Sequence, residues 1–105
     1  MKIAITSAGN SIKELVDKRF ARCNYFTIYD TENKSMEIIP NINKEEIDKV
    51  GFHAVDLLVS KKVEKIISGN FGEKAKSSLD SNKIQMIVIK GEKTIEQVIQ
   101  LIDNN

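Results

Sequence analysis

Three short β-like runs precede any long helical stretch, and from residue 51 onward strands and helices alternate. That order restricts the possible folds more than any other feature of the chain. Lys2 to Thr6 alternates in polarity and is β-branched, which predicts a strand. Tyr25-Phe26-Thr27-Ile28-Tyr29-Asp30 predicts a second strand, and Ser35-Met36-Glu37-Ile38-Ile39 a third, stopped by Pro40. The polar, turn-like Thr31-Glu32-Asn33-Lys34 joins these two into a β-hairpin. Between the first two strands, Ser7 to Ser11 is a loop by composition and Ile12 to Val16 has the length of a helical turn. Asn41 to Asp48 is a polar loop.

From Gly51 the pattern becomes helical: Phe52, Val55, Leu58 and Val59 recur at three- and four-residue spacing through about Lys61. Val63 to Ser68 is a strand centred on Ile66 and Ile67. Gly69-Asn70-Phe71-Gly72 then turns the chain into a helix over Glu73 to Leu79. Ile84 to Ile89 is a near-continuous apolar run, the pattern of a strand covered on both faces. Thr94 is a good N-cap with Gln97 three residues on, a capping-box spacing, and Ile95, Val98, Ile99 and Ile102 form the stripe of a last helix. The expected fold is α/β in the order β-β-β-α-β-α-β-α, with a five-stranded mixed sheet. Its second half should be parallel with right-handed crossovers, and helices should cover both faces. The ribonuclease H-like topology has this order.

At 105 residues the chain fits a single domain, 1–105, with one core. A net charge of +1 and the lack of a basic block give no reason to expect nucleic acid as a partner. One cysteine makes no internal disulfide, and no apolar run approaches membrane-spanning length, so a cytoplasmic protein without a membrane partner is expected. The opening apolar run is too short for a signal peptide. A single His and a single Cys do not make a self-sufficient structural zinc site.

Ligands of open α/β sheets sit at the carboxyl ends of the parallel strands. Three loops fall there: Ser7-Ala8-Gly9, Ser68-Gly69-Asn70-Phe71-Gly72 and Lys90-Gly91-Glu92-Lys93, with Gly51 opening a helix nearby. Glycines admit a ligand close to the backbone, and N–H groups at a helix start favour an anion. The alternative for each glycine is a simple turn position.

Both arginines and the only cysteine lie in Arg19-Phe20-Ala21-Arg22-Cys23, while every other basic residue is lysine. Arginine is the planar, permanently charged anion donor. A thiol beside guanidinium groups is biased toward the metal-ligating thiolate. The competing expectation is a buried structural cysteine beside two surface arginines. An extended segment would also send Arg22 and Cys23 in opposite directions. Asp17 is placed to pair with Lys18, Arg19 or Arg22, a type of surface pair that contributes little. His53, in the first turn of the Gly51 helix, is a weak candidate metal ligand. Ribonuclease H-like nucleases need clustered carboxylates, one of them on the first strand; Lys2-Ile3-Ala4-Ile5-Thr6 has none, which argues against two-metal hydrolysis. No Ser/His/Asp or Cys/His spacing suggests covalent catalysis, and Gly69-x-x-Gly72 is too weak for a nucleotide fingerprint.

Four segments together resemble the dinitrogenase iron–molybdenum cofactor biosynthesis family, of the NifX and NifB C-terminal type. They are Lys2-Ile3-Ala4-Ile5 with its glycine loop, Val16-Asp17-Lys18-Arg19-Phe20-Ala21-Arg22-Cys23-Asn24-Tyr25-Phe26, Ile67-Ser68-Gly69-Asn70-Phe71-Gly72-Glu73-Lys74-Ala75, and Gly91-Glu92-Lys93-Thr94-Ile95-Glu96-Gln97-Val98. The second resembles the family's most specific signature, a Phe-Gly-Arg-Ala/Cys core followed by an aromatic strand. The chain departs from the family in three places. Ala21 replaces a glycine, Asp48-Lys49-Val50-Gly51 stands where members carry His-Gly-x-Gly, and Asn70 replaces a histidine. His53 lies five positions beyond the expected histidine.

The resemblance implies a ribonuclease H-like domain that binds, carries or delivers iron–sulfur or iron–molybdenum-type clusters, transiently and without catalysis. Its partners would be proteins that donate or accept the cluster. On this expectation Arg19 and Arg22 attract the anionic cluster and Cys23 is the soft ligand. Gly9, Gly51, Gly69, Asn70 and Gly72 line its approach, and His53 is an additional donor. Loss of the family's His-Gly pair favours a second expectation, a regulatory or adaptor domain without cluster binding. The glycine loops also suit a third, a binder of a small phosphorylated metabolite.

Overall fold

In the computed structural model, which describes residues 1–104, the predicted order holds. The elements are β1 (Lys2–Ser7), β2 (Tyr25–Asp30), β3 (Met36–Pro40), α1 (Val50–Ser60), β4 (Val63–Ser68), α2 (Glu73–Ser81), β5 (Gln85–Val88) and α3 (Ile95–Asp103). They form one five-stranded sheet in the order β3-β2-β1-β4-β5. The β1–β2 and β2–β3 pairs are antiparallel, as a meander requires, whereas β1–β4 and β4–β5 are parallel and joined through helices. The mixed sheet is thus as expected, and its strand order is compatible with the ribonuclease H-like topology.

Alternation along the strands builds two cores. Ala4, Phe26, Ile28 and Ile66 point to one face, where they meet Ala54, Val55 and Leu58 of α1 and Ala75 and Leu79 of α2. Ile3, Ile5 and Ile67 point to the other, against Ile95 and Val98 of α3. Helices therefore cover both faces. The capping box of α3 forms as predicted: Gln97 N–H donates to Thr94 Oγ1, and Thr94 N–H to Gln97 Oε1. At the end of α2, Ile84 N–H donates to Leu79 O and Lys83 N–H to Asp80 O. This is a Schellman arrangement with Lys83 at φ 58° in the usual glycine position.

Two expectations are corrected. Ile12 to Val16 is not a helical turn. It runs along the sheet end as irregular backbone bridged at Ser7–Val16 and Leu15–Thr94, because the end of β1 and the start of helix α3 supply it with external hydrogen-bond partners. The apolar run at Ile84 to Ile89 is a strand only over Gln85–Val88 and is covered only in part, Met86 packing against one core and Ile87 against the other. β5 is an edge strand and Val88 is half exposed. A short apolar run reports burial of some of its side chains and does not distinguish a central from an edge position.

Candidate functional site

The segment from Asp17 to Cys23 is held by its apolar residues. Phe20 is buried, with its ring centroid 6.0 Å from that of Phe26 and 5.5 Å from that of Phe71. Cys23 is buried three residues later, in the same core. With these two anchored inward, the arginines are directed to different places. Arg22 Nη1 donates to the main-chain oxygens of Lys44 (2.9 Å) and Glu46 (3.0 Å), tying down the loop before α1. Arg19 stays at the sheet end, beside the turn after β4.

There, at the carboxyl ends of β4 and β5, a cleft of about 470 Å³ is lined by Val16, Lys18, Arg19, Gly69, Asn70, Val88, Ile89, Lys90 and Gly91. It contains three cations, and no carboxylate among the described residues lines it. Its walls are fixed by backbone geometry. Gly69 N–H donates to Asp17 O (3.2 Å), and a Cβ on Gly69 would lie 2.6 Å from Lys18 Cα, so only glycine admits this approach of the two loops. Gly91 has φ +79°, a left-handed conformation that favours glycine, at the turn where it and Lys90 line the cleft. Beneath the cleft, Thr6 Oγ1 donates to Asp17 O (2.8 Å) and contacts Ser68 Oγ at 3.0 Å.

A second cleft, of about 330 Å³, lies between the starts of α1 and α2 and is lined by Ala21, Ile47 to Phe52 and Gly72 to Ala75. Neither helix start has a side-chain cap. Its charges balance, Asp48 and Glu73 against Lys49 and Lys74, and its rim is apolar: Ile47 is 91% exposed and Phe52 42%. Gly51 packs near Ala75, whereas Gly72 faces open space.

The nine residues singled out in the sequence therefore separate. Arg19, Gly69 and Asn70 share the basic cleft, and Gly51 and Gly72 share the apolar one. Gly9 lines neither, since the Glu14 side chain covers it. His53 lies in a shallow depression with Asn43, Glu46, Asp56 and Leu57 and is hydrogen-bonded through Nδ1 to Glu46 Oε2. Among the described residues no three His, Cys, Asp or Glu side chains are grouped to hold a metal ion.

The expected thiolate character of Cys23 is also corrected. The side chain is fully buried, and desolvation, reinforced by the charge of Asp17, pushes its thiol up to about 12. The neighbouring guanidiniums do not offset this, because Arg22 points away and Arg19 is paired with Asp17. The third carboxyl-end loop also differs from expectation. The first N–H groups of α3 are already used, Ile95 N–H by Glu14 O and Glu96 N–H by Ile12 O, both at 2.9 Å, so that helix start offers nothing to an anion. The sequence reading missed Lys18 and Lys90 as cleft residues. The position of Lys90 in a carboxyl-end loop was the available signal, but its lysine is one of many.

No helix among the described residues is long and apolar enough to cross a membrane. No curated protein matches the chain. Among solved structures, it is similar to the apo form of the orange protein from Desulfovibrio gigas (26% identity, TM-score 0.88, covering 98% of this chain and 88% of that one). It is also similar to a proposed NifB protein from Thermotoga (32% identity, TM-score 0.86, 99% and 88% covered). A proposed dinitrogenase from Methanocaldococcus jannaschii is a further relative (25% identity, TM-score 0.68, 99% and 88% covered). The family model described as dinitrogenase iron-molybdenum cofactor matches residues 1–105. The whole chain thus belongs to the dinitrogenase iron–molybdenum cofactor family.

Proposed function

We propose that this chain is a small, non-catalytic binder of anionic metal–sulfur clusters of the iron–sulfur or iron–molybdenum type. Its task is cofactor assembly or delivery, and the cluster is cargo held in the basic cleft. The observation that carries this is the collection of Lys18, Arg19 and Lys90, without an opposing carboxylate in the lining, around a cleft of about 470 Å³ in a member of this family. That volume lies in the range of small-molecule sites. The similarity to an orange protein with an apo form, and to a proposed NifB protein, supports the same cargo class.

Coordination by side chains does not fit: Cys23 is buried with its thiol protonated, and His53 is on another surface. Charge fits, with Asn70 and the backbone around Gly69 and Gly91 within reach of the cargo. An ionic hold at a partly open site is screened by salt, which suits a protein that must hand its cargo on.

Anaerobic titration of the purified protein with tetrathiomolybdate, read by visible absorbance and metal content, tests the proposal. Stoichiometric uptake that falls in Lys18→Gln/Lys90→Gln and persists in Cys23→Ser supports it. Uptake lost in Cys23→Ser and untouched by the lysine changes would return the ligand to the thiol and sink the ionic site.

The adaptor alternative is favoured by one observation, the exposed Ile47 and Phe52 at the rim of the second cleft. It predicts no uptake of tetrathiomolybdate and co-purification with a partner protein that is lost on Ile47→Asp.

A further inference from the structure

A carboxylate beside an anion site lowers its attraction, yet Asp17 stands directly behind the basic cleft. Its geometry is that of a rigid bracket. Its N–H donates to Thr6 O (2.9 Å), and its own O accepts from Thr6 Oγ1 (2.8 Å), Gly69 N–H (3.2 Å) and Ser68 Oγ (3.4 Å). The backbone of Asp17 is thereby fastened to the ends of β1 and β4. The side chain is only 8% exposed. Its Oδ1 accepts from the Arg19 N–H at 2.8 Å and from Nε at 3.2 Å, while Oδ2 accepts from Nη2 at 3.3 Å. Arg19 itself is 62% exposed. An exposed arginine is ordinarily free in several torsions, whereas a side-on pair of hydrogen bonds fixes the plane of the guanidinium. This pairing uses Nε–H and one hydrogen of Nη2, leaving both hydrogens of Nη1 and the other of Nη2 for a ligand.

We infer that Asp17 is a positioning residue for the proposed anion site, acting through Arg19: it holds the guanidinium with its free Nη edge toward the cleft. The inference rests on the proposed function of that cleft. Holding the donor in place before binding removes an ordering cost that the ligand would otherwise meet, and that gain exceeds the repulsion from a carboxylate already neutralised by its partner. The proposed ligand class is correspondingly one with adjacent acceptor atoms, a thio- or oxo-metallate edge, matched to the two nitrogens.

The sign of one substitution separates positioning from simple charge. Asp17→Asn keeps an acceptor for the Arg19 N–H but removes a negative charge, so electrostatics alone predicts tighter binding of tetrathiomolybdate. Positioning predicts binding weaker by about fivefold, the loss on freeing one long side chain. Asp17→Ser, which still caps the backbone but does not reach the guanidinium, should behave alike and covers the case in which the asparagine variant folds poorly.

In an Arg19→Ala background Asp17→Asn should no longer weaken binding. Glu64→Gln, at the far end of β4, should leave affinity unchanged. Equal or tighter binding by Asp17→Asn, or the same weakening in both backgrounds, would overturn the inference. A readout without ligand separates it from the cleft's proposed function. The Arg19 Nε–H resonance should be slow to exchange with water in the wild type and fast in Asp17→Asn, and no difference would overturn positioning even if the cleft binds. Failure of the wild type to bind tetrathiomolybdate overturns the anion site and its positioning residue together.

Discussion

The two clefts on either side of the Lys18–Ala21 segment are built from the same kind of sequence, glycine-containing turns at the ends of strands, yet differ in what they present. The basic cleft takes its character from long side chains on two loops, Lys18 and Arg19 on one and Lys90 on the other, which meet only because β1, β4 and β5 are neighbours. The other takes its character from backbone and small residues at two helix starts, with its side-chain charges cancelling. Glycine is required in the first by a close approach and is nearly incidental in the second. A glycine motif thus marks a place where the backbone turns, and the surrounding charges decide whether the place attracts an anion.

The largest contrast is expected from the glycines themselves. Gly69→Ala puts a methyl 2.6 Å from Lys18 Cα, a backbone atom that moves only if the whole loop moves. It should cost about 2–3 kcal/mol and open the cleft. Gly72→Ala meets nothing within 4 Å and has φ −73°, so it should change stability by less than about 0.5 kcal/mol. Urea denaturation of the two variants checks this, and equal losses would end the distinction between the clefts.

Cys23 provides the next test. Cys23→Ser buries a hydroxyl in an apolar core and should cost about 1–3 kcal/mol without altering tetrathiomolybdate affinity. The thiol's pKa is raised from its ordinary 9.0 to about 12 in the folded protein. For an acid held protonated by burial, the stabilisation is complete below the unfolded pKa. It is then lost as pH rises from about 9 toward 12, because the unfolded chain releases the proton first. The slope reaches at most about 1.4 kcal/mol per pH unit. Stability measured from pH 8 to 11 should fall more steeply in the wild type than in Cys23→Ser. Labelling of the native thiol at neutral pH should be slow.

Removing single cations sharpens the comparison further. Lys18→Gln and Lys90→Gln should each weaken binding by about 1 kcal/mol at low salt, less at high salt. Lys49→Gln and Lys74→Gln, in the charge-balanced cleft, should leave it unchanged. Isothermal titration with tetrathiomolybdate at two ionic strengths decides this, and equal losses from all four would reduce the effect to net charge.

The smallest effect is a gain. Lys49 precedes α1 at φ 61°, a left-handed conformation that costs a lysine about 1 kcal/mol and a glycine nothing. Lys49→Gly should raise the melting temperature by a few degrees and leave the basic cleft unaffected.

What the sequence determined by itself is the set of elements and the family. The alternation over Lys2 to Thr6, the strand-forming runs at Tyr25 and Val63 and the three- and four-residue spacing after Gly51 follow from local backbone geometry, so they are visible without a structure. The capping box at Thr94 and Gln97 is legible for the same reason. The helical turn assigned to Ile12–Val16 fails because its hydrogen bonds go to distant partners. The edge position of β5, which leaves Val88 half exposed, was not legible because strand order is a non-local property.

Only the tertiary structure decided the site. Arg19, Arg22 and Cys23 are neighbours in sequence, yet Phe20 and Cys23 enter the core and send one arginine to the sheet end and the other to the loop at Lys44. The same burial raises the thiol that adjacent arginines were expected to ionise, since desolvation outweighs charges that are paired elsewhere. Lys90 joins Lys18 and Arg19 in the lining of one cleft only because β1, β4 and β5 are neighbours in the sheet, whereas the Asp17–Arg19 pair is local in the chain. Local pattern specifies what each segment becomes. Which side chains meet is settled by how strands pair and which residues are buried.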